Sequence, residues 1–172
     1  MKKLLLAAIA VMGIGSLQVY GIGLGVEGTG GIGGYNAYGH GGFMVTAKFD
    51  NLPYMALGAD FGLWGGSLGF TADWWLLDNK IVGPLNWYLG VGPYLGFRWY
   101  DTNWGYAYPN RPSAGFSVGV RVPIGLHVFP VKWLEIFGEF APAAGVGFFD
   151  FDGKPVFFDW QLQAAIGVRF WF

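Results

Sequence analysis

The chain has 172 residues, of which 20% are aromatic, 31 are glycine and only 12% are charged. Soluble domains average about a quarter charged residues, so this composition excludes an ordinary soluble fold, and the length suits a single domain. A formal charge of −1 provides no basic surface for nucleic acid, and the absence of cysteine removes both disulfides and a lipoprotein attachment residue.

Met1, Lys2 and Lys3 precede an apolar stretch over 4–15, the pattern of a secretory signal. Gly13 and Gly15 are small residues suited to cleavage, which gives a signal peptide over 1–16 and a barrel domain over 17–172. Loss of Lys2 and Lys3 leaves eight basic against eleven acidic residues, a net charge of −3. No later apolar run reaches the roughly eighteen residues of a spanning helix. An export signal followed by many alternating segments points to the outer membrane of a double-membraned cell.

The first alternating segments fall at 19–29, 42–50, 54–64 and 67–77. Those at 86–99, 115–128, 133–148 and 158–172 complete the set. Side chains of alternate strand residues point to opposite faces, and a tilted spanning strand needs about 9–11 residues. The pattern predicts an all-β fold, an eight-stranded antiparallel up-and-down transmembrane β-barrel. Short turns are expected at 50–53 and 129–132 on the periplasmic side, where both termini lie, and long outer loops at 30–41 and 100–114. The connections at 65–66, a tight outer turn, and at 78–85, a long inner one, fit this alternation less well.

One parity is apolar in every segment, from Leu24 and Val26 in the first to Phe158, Trp160 and Leu162 in the last. Aromatic residues cluster at both ends of this face. Tyr20, Phe49, Trp74, Trp87, Phe170 and Phe172 form an expected periplasmic girdle, and Phe43, Phe61, Trp99, Phe116, Phe148 and Phe158 an outer one. The opposite parity carries Glu27, Lys48, Asp60, Asp73, Arg98, Arg121, His127, Glu135, Glu139, Asp159 and Arg169. Ions held away from water need partners, so these residues are expected to form a lumen charge network. Arg121 with Glu139 and Asp73 with Arg98 are the pairs expected at similar depth. Sixteen glycines share the inward parity, leaving room either for large rings such as Tyr88 and Tyr94 or for a narrow polar passage.

Two runs match the dinucleotide glycine pattern, beginning at Gly23 and Gly28, but neither lies between a strand and a helix. Ser117 and His127 share a face but lie ten residues apart, roughly 33 Å along a strand, too far for a nucleophile and its base. His40 and Ser67 near the outer rim are the residues to test for a lipid-modifying activity, a distant third reading. No catalytic residue, metal cluster or cofactor is expected. The loop residues Trp104, Tyr106, Tyr108 and Arg111 combine aromatic faces with polar neighbours, suited either to ligand contact or to capping the barrel mouth.

Ala72-Asp73-Trp74-Trp75, Gly90-Val91-Gly92-Pro93-Tyr94, Arg121 to Leu126, Glu135 to Glu139 and Ile166 to Phe172 cover about the last five strands. In these motifs the chain resembles a family of small spirochaetal outer-membrane β-barrel proteins of unknown function. It is more distantly similar, in architecture alone, to OmpA-like and OmpW-like barrels. The resemblance implies an eight-stranded barrel with no established activity. Ile166, Val168, Phe170 and Phe172 resemble the terminal signal read by barrel-assembly machinery. The expected role is structural or surface-interacting, with outer-membrane lipid, that machinery and a host or surface ligand as partners of a monomeric barrel. The alternative is a narrow porin-like channel for small solutes or hydrophobic compounds.

Overall fold

The computed structural model describes residues 21–33, 42–49, 53–62, 65–100, 114–149 and 154–172. The expected signal peptide lies outside them, as do the loop residues Trp104, Tyr106, Tyr108 and Arg111, His40 and the side chain of Asp60.

Alternation produces the strands β1 (Ile22–Gly33), β2 (Gly42–Phe49), β3 (Tyr54–Gly62), β4 (Gly65–Val82) and β5 (Leu85–Tyr100). They continue as β6 (Ala114–Arg121), β7 (Ile124–Val131), β8 (Leu134–Phe149) and β9 (Lys154–Trp171). All pairings are antiparallel. β9 pairs with β1 and closes the ring.

β6 and β7 occupy one stave, since both pair with β5 on one side and β8 on the other. The barrel therefore has eight staves. Val122 and Pro123 separate the two segments because proline has no N–H to donate. The ladder nevertheless runs through: Val122 N donates to Pro142 O at 2.9 Å, and Gly90 N to Pro123 O at 2.8 Å. Parity is preserved as well, with Arg121, Pro123, Gly125 and His127 buried and Val122, Ile124 and Leu126 exposed.

The expected long inner connection at 78–85 is instead strand and a tight turn. β4 continues to Val82, and Gly83, in the left-handed region at φ 56°, turns the chain with Pro84 into β5. A bulge at Leu76 interrupts the β4–β5 register, which passes from Trp75↔Gly90 to Leu77↔Leu89. Asp78 thereby comes opposite inward-facing Tyr88. β1 also runs four residues beyond its expected end.

Register fixes the tilt. Stepping sideways from Gly33 through Gln161, Ala143, Arg121, Gly92, Asp73, Tyr54 and Lys48 leads to Gly23, ten residues below the start. This displacement is the shear that a tilted, closed barrel requires.

Among the strand residues whose side chains are described, none that faces outward is charged, and the apolar ones are open: Phe43 is 80% exposed and Ile166 69%. Phe116 faces Phe148 in the outer girdle, with centroids 6.3 Å apart. Trp133, outside the expected girdle, stacks on Phe170 at 5.9 Å and 8° in the periplasmic one. Such an exterior is stable only in hydrocarbon, where closure also satisfies every strand edge.

Phe172 completes the β9–β1 seam: its N donates to Ile22 O at 3.0 Å and its O accepts from Ile22 N at 3.3 Å. Deleting Phe172 should therefore reduce the fraction of heat-modifiable, folded barrel in cells severalfold, whereas deleting Asn103 from the outer loop should not. Equal yields would contradict a role for this end in closure and assembly.

Candidate functional site

The lumen contains two layers of paired groups. In the upper layer, Arg121 approaches Asp73 through Nε at 3.2 Å, pairs with Glu139 and donates from Nη1 to Gln163 at 2.8 Å. Register explains the reach to Asp73. Arg121 and Asp73 are the two neighbours of Gly92 across β5, and a Cβ at Gly92 would fall 2.7 Å from the Asp73 Cα. Tyr88 donates to Glu139 at 2.6 Å. A polar ladder rises from there: Gln163 to Gln161 at 3.0 Å, then Gln161 to Asp159 at 2.7 Å, which Tyr94 also contacts at 3.2 Å. Tyr54 donates to Glu27 beside this cluster.

The lower layer centres on Glu135. Arg169 Nη1 donates to it at 3.0 Å and Trp171 Nε1 at 2.8 Å, while His127 Nδ1 lies 3.1 Å away. The other imidazole nitrogen, Nε2, is 2.9 Å from Asp78. The Arg169 guanidinium also lies 4.0 Å from the Phe137 ring centre and 4.4 Å from that of Tyr54. Cations thus find both carboxylates and ring faces.

Arg121 and Glu139 meet as the sequence predicts, but Asp73 and Arg98 do not. Arg98 pairs in register with Ser67, six residues along β4 from Asp73 and roughly 20 Å away, so Arg121 takes that partner instead. Asp78, Gln161, Gln163 and the tyrosines are network members that charge counting missed. The glutamines share the parity of Asp159 and were legible on that ground; Asp78 was not, because only the bulge turns it inward.

Rings occupy the room that inward glycines leave. A Cβ at Gly125 would lie 2.3 Å from Tyr88, at Gly119 2.5 Å from Tyr94, and at Gly167 2.6 Å from Phe137. Tyr88 and Tyr94 have no exposed surface. Ser117 faces the lumen ten residues from His127, and no group of three metal-binding side chains occurs among the described residues. Below Trp75, a cavity of about 610 Å³ opens at the periplasmic mouth.

A closed ring of eight staves, an apolar outer belt and an ion-paired lumen define a small transmembrane β-barrel of the outer-membrane class. No protein-family model and no curated protein sequence matches the chain. Among solved structures it is similar to the crystal structure of Neisserial surface protein A, at 16% identity and TM-score 0.52, over 89% of this chain and 97% of that one. It is also similar to Ail, the attachment invasion locus protein of Yersinia pestis, at 13% identity and TM-score 0.42, over 89% and 96%. The first likeness shows a shared fold.

Removing one partner from a buried ion pair leaves an uncompensated charge and costs about 3–5 kcal/mol. Arg121→Met, which strands Asp73 and Glu139 together, should lower stability in vesicle-bound urea unfolding by about that amount. Adding Asp73→Asn and Glu139→Gln should restore much of the loss. A single variant indistinguishable from the parent would show that the cluster contributes nothing.

Proposed function

We propose that the chain is a monomeric outer-membrane barrel with a structural and surface-interacting role, without catalytic activity. Its lumen is a closed strut, and its outer loops make the contacts. The observation that carries this reading is the Asp73–Arg121–Glu139 cluster, joined by Tyr88 and Gln163, which spans the lumen with side chains. Eight-stranded interiors are just wide enough for side chains to fill. The motifs behind the resemblance to the small spirochaetal barrels supply Asp73, Arg121, Glu135 and Glu139, which supports placing the chain with that family. Neisserial surface protein A is by its name a surface protein, and Trp104, Tyr106, Tyr108 and Arg111 give this chain a loop suited to surface contact. Ile166, Val168, Phe170 and Phe172 would be read by the assembly machinery.

In planar bilayers the purified barrel should remain closed at all voltages. A reproducible unit conductance altered by Arg121→Ala or Glu139→Ala would instead favour a narrow channel. Replacing Trp104, Tyr106, Tyr108 and Arg111 with serine should leave the barrel folded. It should also reduce adhesion of cells displaying it to immobilised host proteins. Unchanged adhesion would remove the loop from the reading.

A further inference from the structure

The periplasmic rim of the barrel is uneven. β3 begins at Tyr54, opposite Asp73, whereas β4 runs on from Asp73 to Val82. There β4 stays paired with β5 as far as Val82↔Leu85. On its other side no described strand pairs with residues 74–82, which leaves a free edge of about 30 Å at ordinary strand rise. β2 ends at Phe49, so among the described residues the wall has a notch between β4 and the ends of β2 and β3. Unpaired N–H and C=O groups do not persist in hydrocarbon, so the notch stands at headgroup depth, where girdle rings such as Trp74 and Phe49 belong.

The mouth cavity reaches the outer surface through that notch. Its lining combines lumen-facing Trp75, Phe129 and Trp171 with Phe49 and Trp74, which lie on the lipid-facing parity. Trp74 is 50% exposed and stands well above the end of β4 at Val82, so a cavity inside the barrel meets it only beside the free edge. The described lining charges do not call for a charged guest. Asp78 is engaged by His127 at 2.9 Å, and Lys132 lies exposed in the β7–β8 turn. Lys48 sits with Nζ 3.1 Å from the Trp75 ring centre and acts electrostatically on Glu135. What remains is ring surface, fixed by the Trp75–Tyr88 stack, with centroids 3.8 Å apart, and by the hydrogen bond from Trp171 to Glu135. An uncharged chain laid on those rings displaces water without taking a partner from any ion.

We propose that the notch admits one acyl chain of a lipid from the periplasmic leaflet. The chain enters between Phe49 and Trp74 and lies against Trp171 and Phe129, while the headgroup stays at the rim. A bilayer lipid is the occupant because the cavity is continuous with the lipid-facing girdle, and its volume of about 610 Å³ suits a single guest. The site uses neither the outer loops nor passage through the lumen, so it stands or falls apart from the role proposed above.

The test is photo-cross-linking of the full barrel in phosphatidylcholine nanodiscs that carry a two-chain phosphatidylcholine with a diazirine midway along one chain. Labels are located residue by residue with tandem mass spectrometry. Leu126 and Ile136, exposed on the lipid face, should be labelled in every sample and serve as the internal reference. Trp171 and Phe129 should be labelled beside them. Lys48→Trp, which fills the cavity with a ring, should reduce the Trp171 and Phe129 labels at least fivefold while retaining heat-modifiable mobility and the reference labels. Should that variant not fold, the parent result decides alone. A parent barrel labelled at Leu126 and Ile136 but bare at Trp171 and Phe129 would overturn the proposal, as would unchanged cavity labels in a folded Lys48→Trp barrel. A short water-soluble diazirine alcohol that labels the cavity where the two-chain lipid does not would also overturn it, by showing a site fed only from the periplasm.

Discussion

Hydrocarbon refuses charge, and the rest of this barrel follows from that refusal. A lysine or arginine on the lipid face at the bilayer midplane costs about 2–4 kcal/mol, so ions on the spanning strands turn inward. An eight-stave lumen is just wide enough for side chains to fill, so ions buried there must satisfy one another. Arg121 answers Asp73 and Glu139, and Arg169 answers Glu135. Glycine placement follows in part, because several long guanidinium and phenol side chains lean over a neighbouring-strand position that has no Cβ. Gly92 lies between Arg121 and Asp73 in register, and Gly125 lies beneath the Tyr88 ring.

Tilt decides which ions meet. Since the register climbs ten residues in one circuit, residues linked by sideways steps lie on an inclined line. Arg121, Gly92 and Asp73 lie on one such line, and Glu135 is the direct register partner of Arg169 on another. The lumen accordingly divides into two clusters separated by the Trp75–Tyr88 stack. The upper one is centred on Arg121. The lower one lies to one side, around Glu135, and leaves the mouth hollow.

Much of this was legible in the sequence because period-two alternation records which face meets lipid. From that alternation alone came the eight staves, the apolar exterior, the Arg121–Glu139 pair and the inward placement of Glu27, Asp159 and Arg169. Contacts set by geometry rather than parity were harder to read. The Asp73–Arg98 pairing failed because both residues face inward yet stand six register steps apart. Asp78 escaped notice because 78–85 reads as a connection; β4 instead runs on through it, and a one-residue bulge at Leu76 turns it inward. Pro123 looked like ordinary strand because it falls on the inward parity; its missing N–H divides the stave into β6 and β7 without opening the barrel. The mouth pocket had no linear signal, since Lys48, Trp75 and Trp171 come from β2, β4 and β9.

At the periplasmic end the atoms that pair buried ions also hold the aromatic rings in place. Glu135 accepts from Arg169 and Trp171 together, so the ion pair that neutralises a buried guanidinium also sets the orientation of a pocket wall. Tyr88 likewise anchors to Glu139 through its hydroxyl while its ring supports Trp75. One set of contacts thus does two things, pairing the buried ions and fixing the rings that line the periplasmic mouth.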